Sequence, residues 1–311
     1  MSQMKAQIDK LLTQASDKLK PKGFISELLL PRLSVAQYSG LLGAYGTDHL
    51  RIEHDIVGGQ GVYPRVTTLT TSTTAYNIEG HGLEDVVTKR DRANYDLPFK
   101  AEKDKMSSLV MKLLVGKEKA LADALSNTST ITQTQQLTGT SQFSNYLESD
   151  PLSIFSTARE AVRDGCGLYP NTTWMDKKVF NKLRYHPQLL DALGYAANRP
   201  GGLKQQEMAD VFDVDRILIC EAIYESAKEG QTSSLAPVWG KHIWFGHVAS
   251  NAQPEQISLG YNVIPSGTKP RKVYKYSINN PPNTTGILVE DEYDMLLSKT
   301  SAAYLIEDAI A

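Results

Sequence analysis

Residues 96–126 read DLPFKAEKDKMSSLVMKLLVGKEKALADALS. Pro98 suits a first helical turn, where its missing N–H and fixed φ cost little, and Glu102 and Asp104 favour the positive end of a helix. Met106, Leu109, Val110, Leu113, Leu114, Leu121 and Leu125 recur at spacings of three, four and seven, which predicts one buried apolar stripe. Lys103, Lys112, Lys117, Glu118, Lys119 and Asp123 are expected on the opposite, solvated face. Such a helix spans roughly 40 Å at about 1.5 Å per residue. Gly116 is its weak point, costing about 1 kcal/mol relative to Ala. A long amphipathic helix is by itself a core element, so its meaning depends on its flanks.

Bulk properties narrow the classes. The 311 residues suffice for one elaborate domain or two ordinary ones, and a hydrophobic content of 41% is that of a folded chain. The balance of 33 basic against 35 acidic side chains argues against a dedicated nucleic-acid binder, which needs a clustered basic surface. Cys166 and Cys220 are too few for a disulfide framework or a zinc site and read as buried thiols. The opening MSQMKAQIDK leads into an amphipathic pattern rather than a signal peptide, and no apolar run is long enough to span a membrane. The chain is therefore expected to be cytosolic where it is made.

Working outward, residues 1–22 place Ile8, Leu11, Leu12, Ala15 and Leu19 on one helical face, to be packed on the same domain or on a neighbour. Residues 47–79 are rich in Thr, Val, Ile and Tyr and are broken by Gly58-Gly59-Gln60-Gly61 and by the run 70–74. They read as an extended β-hairpin arm with too few large apolar side chains to make a core of its own. Downstream, Asp150-Pro151 opens a helix that ends at 165–167, Asp176 caps another, and 203–212 is a third. Strands are expected at 216–224, 238–248, 257–263, 272–278, 287–290, 294–297 and 302–310, with 225–234 a mobile linker. The order lacks βαβ alternation and fits an α+β fold.

Sequence patterns that carry chemistry do not occur. There is no phosphate-binding G-x-x-x-x-G-K-[ST], no G-x-G-x-x-G and no G-x-S-x-G. Asp48, His49, Glu53, His54 and Asp55 are the densest set of metal-ligand types, but an extended backbone scatters them over two faces. His242 and His247, five apart in a strand, point to opposite faces. No metal, cofactor or catalytic residue is assigned. An enzyme whose site assembles from distant residues is the alternative in a different class.

The landmarks Arg92-Ala93-Asn94-Tyr95-Asp96-Leu97-Pro98, Glu118 and Ala120 of the long helix, 137–143 (LTGTSQF), Ser149-Asp150-Pro151 and 169–175 (YPNTTWM), followed by Val179, Leu183 and His186-Pro187, stand in an order that resembles the major capsid proteins of tailed double-stranded DNA phages, with the Hong Kong 97-like fold. The resemblance is firmest over 46–195. It implies an N-terminal arm at 1–45, an extended loop at 46–90, a peripheral domain at 91–165 and 271–311 with a spine helix at 98–126, and an axial domain at 166–270. It implies self-assembly into hexamers and pentamers of an icosahedral head around viral DNA, built in the host cytoplasm. Contact candidates between subunits are Leu11, Leu12, Gly58, Gly59, Gly61, Tyr63, Arg65 and Tyr76. Implied partners are a scaffolding protein, a portal and a decoration protein, with non-specific contact to packaged DNA and none to membrane. An encapsulin-like cellular compartment is the alternative within the fold.

Two departures sharpen the expectation. The sequence opens directly on the short arm, which favours a separate scaffolding protein. Some relatives crosslink through a lysine of the extended loop, but no lysine lies between Gly46 and Thr88, so the shell is expected to be non-covalent. Particles boiled in SDS should run as a single monomer band; a resistant ladder of multimers would overturn this.

Overall fold

Two β-sheets share one long helix. The computed structural model describes residues 7–45, 52, 55, 63, 71–94, 98–195, 200–253, 256–267, 269–278 and 283–311. In chain order come β1 (Gln7–Ile8), α1 (Lys10–Asp17), α2 (Ser26–Leu29), β2 (Arg32–Val35), β3 (Ser39–Tyr45), β4 (Thr71–Asn77), β5 (Glu79–Val87), α3 (Lys89–Asn94) and α4 (Pro98–Ser126). Then follow β6 (Thr134–Gln136), α5 (Pro151–Cys166), β7 (Thr172–Asp176), α6 (Lys177–Leu183), α7 (Pro187–Ala192) and α8 (Gln205–Phe212). The last part is almost all strand: β8 (Arg216–Cys220), β9 (Ile223–Glu225), β10 (Leu235–Pro237), β11 (Ile243–Gly246), β12 (Gly260–Pro265), β13 (Arg271–Ile278), β14 (Thr284–Leu297) and β15 (Ala303–Glu307).

The first sheet is organised on β14. It pairs antiparallel with β13 (Arg271↔Asp291), with β12 (Gly260↔Leu297) and with β5 (Val87↔Thr285), while β1 adds to β13 and β2 runs parallel to β12. The sequence suggests two strands where β14 runs unbroken through Glu290, Asp291 and Glu292. Two of these acids are carried by cations on the neighbouring strand: Asp291 meets Arg271 at 3.0 Å and Glu292 meets Lys272 at 2.7 Å. Such cross-strand pairs let a charged segment stay in a ladder. The second sheet has the order β6-β15-β11-β7-β8. Its β7 is buried throughout.

The long helix has the expected extent, but its stripe enters two cores. Met106, Leu109, Val110 and Leu114 pack with Leu12, Val87, Val273, Ile287 and Val289 beneath the first sheet. Leu121 and Leu125 pack with Trp174, Trp239, Trp244 and Leu305 against the second. Leu113 is only half-buried. Lys117 and Glu118, expected on the solvated face, are 4% and 0% exposed. Helix, N-terminal segment and second sheet enclose this part of α4 on several sides, so a simple two-faced pattern does not describe it. A third core lies among α5–α8 and the second sheet, around Phe155, Phe180, Phe212 and Phe245.

Several boundaries differ from the reading of the sequence. β15 pairs with β11, so the C-terminal strand returns to the second sheet and not to the sheet of 271–297. β12 pairs with β14 and belongs with the first sheet, although 260–265 falls within the range 166–270 expected for the other unit. α5 packs its Phe155, Ala158 and Val162 into the core of the second sheet, not that of the first. At the N-terminus residues 7–8 are strand and the helix begins only after Asp9, whose carboxylate accepts from the N–H groups of Leu11 and Leu12, both at 3.0 Å. The stretch 225–234, expected as a mobile linker, leads into a small β9–β10 hairpin. There the Glu225 carboxylate accepts from Ser234 N at 2.6 Å and Ala227 N at 3.1 Å.

Because Val110 is fully buried and Leu113 is not, Val110→Asp should destabilise the subunit by several kcal/mol, the order of cost of an unpaired buried charge. Leu113→Asp should leave a cooperative transition. Denaturant unfolding of both variants checks this, and equal losses would show the stripe is buried evenly.

Candidate assembly surfaces

The β3–β4 ribbon is the element that sequence reasoning singled out as needing a partner surface. Its strands pair from Ser39↔Asn77 to Tyr45↔Thr71, so the paired ribbon includes 39–45 as well as 71–77. The run 70–74, read as a break, mostly lies within β4. Alternation along β3 sends Leu42 into a small core with Leu33, Tyr76, Ile78, Tyr261, Val263 and Leu296, while Leu41 remains 68% exposed. Gly40 makes this seat possible, since a Cβ there would lie 2.9 Å from the Tyr76 hydroxyl. Asn77 N donates to Asp294 Oδ2 at 2.8 Å, which fixes the ribbon root to the first sheet, and Ile78 N donates to Tyr38 O at 2.7 Å, which closes the root of the ribbon itself.

The contact candidates divide accordingly. Tyr63 is exposed at 75% and Leu11 at 68%, and Ile52, not singled out, stands at 97%. Tyr76 is held in the ribbon root and Leu12 in the core under α4, so neither is free to meet a neighbour. Gly58, Gly59, Gly61 and Arg65 lie outside the described residues. The structure adds exposed apolar side chains that were not among those candidates: Tyr38 (52%), Ile8 (52%), Ile223 and Leu235 on the β9–β10 hairpin, and Leu147 (96%). Isolated exposed residues of this kind carry no sequence pattern; only the topology groups them.

Behind these surfaces lies a polar junction. Glu118 Oε1 accepts from Ile25 N at 2.9 Å and from Trp239 Nε1 at 2.8 Å, and Oε2 accepts from Ser26 N at 3.0 Å. One carboxylate thus ties α4 to α2 and to the turn before β11. Beside it the Lys117 ammonium sits 3.8 Å above the Tyr293 ring, and burial holds the amine below the ordinary lysine range. Tyr293 is pushed up to about 12, first by burial and then by the Asp291 charge. Burial likewise raises the Cys220 thiol. Glu102, also buried, pairs with Lys275 at 2.6 Å and Arg92 at 3.1 Å. Trp244 caps the helix end by donating to Leu125 O at 3.0 Å.

The described serine and histidines are held in internal contacts. Ser149 Oγ and His186 Nε2 are 2.9 Å apart, but the two residues are 2% and 0% exposed, closed to any substrate. Burial lowers the pKa of His186 and of His242, whose Nδ1 accepts from Asp308 N at 3.2 Å. His247 instead contacts the Tyr169 carbonyl at 2.9 Å. Of the acidic and histidine cluster at 48–55 only Asp55 lies among the described residues, and it is exposed. Among the described residues no group of three potential ligands is placed to hold a metal, and no helix is long and apolar enough to cross a membrane.

No family model matches the chain. It is 23% identical over 275 residues to the major capsid protein of Burkholderia phage BcepMu, covering 84% of each chain. It is 23% identical over 248 residues to that of Pseudomonas phage JBD67, covering 79% of this chain and 78% of the relative. Among solved structures, a phage-related protein from Bordetella bronchiseptica superposes with a TM-score of 0.76 at 23% identity, covering 98% of both chains. The capsid of cyanophage P-SCSP1u gives 0.58 at 11% identity, covering 90% of this chain and 86% of that one. The SrpI encapsulin complex of Synechococcus elongatus gives 0.54 at 11%, covering 98% and 96%. The fold is the α+β fold of phage capsid subunits, Hong Kong 97-like, and the similarity to major capsid proteins stands in the sequence as well as in the fold.

Glu118→Ala should be among the most damaging single changes in the subunit. It strands three buried N–H donors, each costing about 1–3 kcal/mol. Urea unfolding followed by tryptophan fluorescence measures the loss; a change below about 1 kcal/mol would show that the junction is dispensable.

Proposed function

We propose that the chain is the major capsid protein of a tailed double-stranded DNA phage, a structural subunit without catalytic activity that self-assembles into the head. The observation that carries this reading is a ribbon rooted in a small core of its own sheet, with apolar side chains such as Leu41 and Ile52 left on its outside, in a chain similar along most of its length to two major capsid proteins. The first sheet and α4 form the peripheral body, the second sheet with α5–α8 the axial body, and the ribbon the extended loop that lies on a neighbour. Ile8 and Leu11 at the N-terminus and Tyr38, Leu41 and Tyr63 of the arm supply contacts between subunits.

Hexameric and pentameric capsomers follow from many such contacts, each weak alone and strong in number. Scaffolding, portal and decoration proteins are the implied partners. The near-neutral charge fits confinement of DNA inside the virion rather than tight binding. A cargo compartment shares this fold, but both curated relatives are phage capsid proteins, which favours the phage reading.

Leu41→Asp tests the assignment without touching the core. The exposed position should change subunit stability by no more than about 0.5 kcal/mol. Electron microscopy of the expressed protein, with its scaffolding partner where one is required, should show closed icosahedral particles for the wild type and none for the variant. Monodisperse monomers from the wild type, or normal shells from the variant, would count against it.

A further inference from the structure

A cleft of about 670 Å3 runs between α4 and the ribbon root, from Ala75 in β4 to Leu83 in β5. Lys112, Leu113, Gly116 and Ala120 form its helical wall, and Tyr293 and Met295 of β14 its floor. The floor is already packed: His81 stacks on Tyr293 with ring centroids 4.4 Å apart, and the Lys117 ammonium lies 3.8 Å from the same ring. Much of the rest is apolar and open, with Leu83 37% exposed and Leu113 only half-buried.

Gly116 bears on what fills the cleft. Glycine is a costly residue inside a helix, and here an added Cβ would meet nothing within 4 Å. Gly40 is required by the Tyr76 hydroxyl of its own chain, but no neighbour in the subunit requires Gly116. The room beside it serves something outside the subunit, whose backbone can then come close to the helix. The rim adds a sign. Lys112 on α4 and Glu79 on β5 make no ion pair among the described residues. The cleft therefore suits a narrow strip, apolar along its length, with a carboxylate toward α4 and a cation toward β5.

The segment 50–56, LRIEHDI, has that composition. Leu50, Ile52 and Ile56 alternate with Arg51, Glu53 and Asp55, so an extended backbone would carry an apolar row edged by charges of both signs. Ile52 is 97% exposed, so it does not fill the cleft of its own subunit. We propose that the cleft receives segment 50–56 of a second copy of this chain. The assignment rests on the reading that the ribbon lies on a neighbour, and it names the seat: main chain beside Gly116, Ile52 between Leu83 and Leu113, Lys112 toward Glu53 or Asp55, and Glu79 toward Arg51. One wall of the seat is the root of the receiving copy's own ribbon, so each seated arm braces the next. Contacts of this head-to-tail kind close into a ring.

Two sets of variants test the seat. Gly116→Leu should leave the unassembled subunit with an unchanged or higher urea midpoint, because its side chain projects into open space. Under conditions that assemble the wild type, electron microscopy should show its closed shells lost. Ile52→Cys combined with Leu83→Cys, or with Ala120→Cys, should on oxidation of assembled shells give disulfide-linked multimers on a denaturing gel from at least one of the pairs. The native Cys166 and Cys220 are buried, so each single variant should stay monomeric there. Normal shells from Gly116→Leu, or intact shells of both double variants with chains unlinked or linked only internally, would overturn the seat and leave the capsid assignment standing. A wild type that forms no shells would remove the reading beneath the seat, and the seat with it.

Discussion

Three N–H groups converge on the Glu118 carboxylate from segments about a hundred residues apart in sequence, and the carboxylate is wholly removed from water. A carboxylate so placed is tolerable only when its lone pairs are filled, and its donors are tolerable only while it is there. The constraint therefore acts on all three partners at once: the start of α2, the turn carrying Trp239, and the middle of α4. Because α4 also enters the cores of both sheets, the junction fixes the N-terminal segment where the two cores meet. Hydrophobic burial along the helix supplies most of the attraction, but burial is non-directional. The carboxylate supplies the direction.

The same division of labour recurs along β14. Ile287 and Val289 bury apolar surface against α4, while Asp291 with Arg271 and Glu292 with Lys272 fix register against β13. A one-residue slip would separate both pairs and turn the apolar side chains to the other face. A strand of fourteen residues anchored in this way gives the ribbon a rigid base, and Asp294, near its end, accepts from the N–H of Asn77, the last residue of β4. The ribbon root is thus ordered by its own subunit and leaves its outer face unpaired.

Legibility in the sequence followed the range over which each signal acts. The long helix was plain because its apolar period repeats over several turns, and Asp150-Pro151 and Asp176 marked helix starts through contacts within three residues. A β arm was legible from composition, but the pairing of Ser39 was not, because its partner Asn77 lies 38 residues away. Lys117 and Glu118 were misplaced for a related reason: helical periodicity assumes one solvent face, and these two sides of α4 are covered by segments distant in sequence. The return of β15 to the second sheet is likewise a matter of topology, since its residues would be equally content in either. Of the contact candidates, Leu12 and Tyr76 were drawn inward because helical and strand alternation each place one of two adjacent residues on the core side.

A subunit of this kind separates what it needs alone from what it needs in company. Three of its buried carboxylates, Glu118, Glu102 and Asp291, are satisfied within the chain, so these groups do not depend on a neighbour. What remains on the outside, Ile8, Leu11, Tyr38, Leu41 and Ile52, is apolar and scattered, and no one of these is a strong binding site. Burying a single such side chain on a neighbour yields about 1.5–3 kcal/mol, less than the cost of immobilising a free subunit. Association becomes favourable only when several contacts form together, and loss of any one is felt at every symmetry-related copy. That asymmetry, a self-sufficient interior and individually weak surfaces, is what allows a subunit to dissociate from wrong contacts and remain in a closed shell.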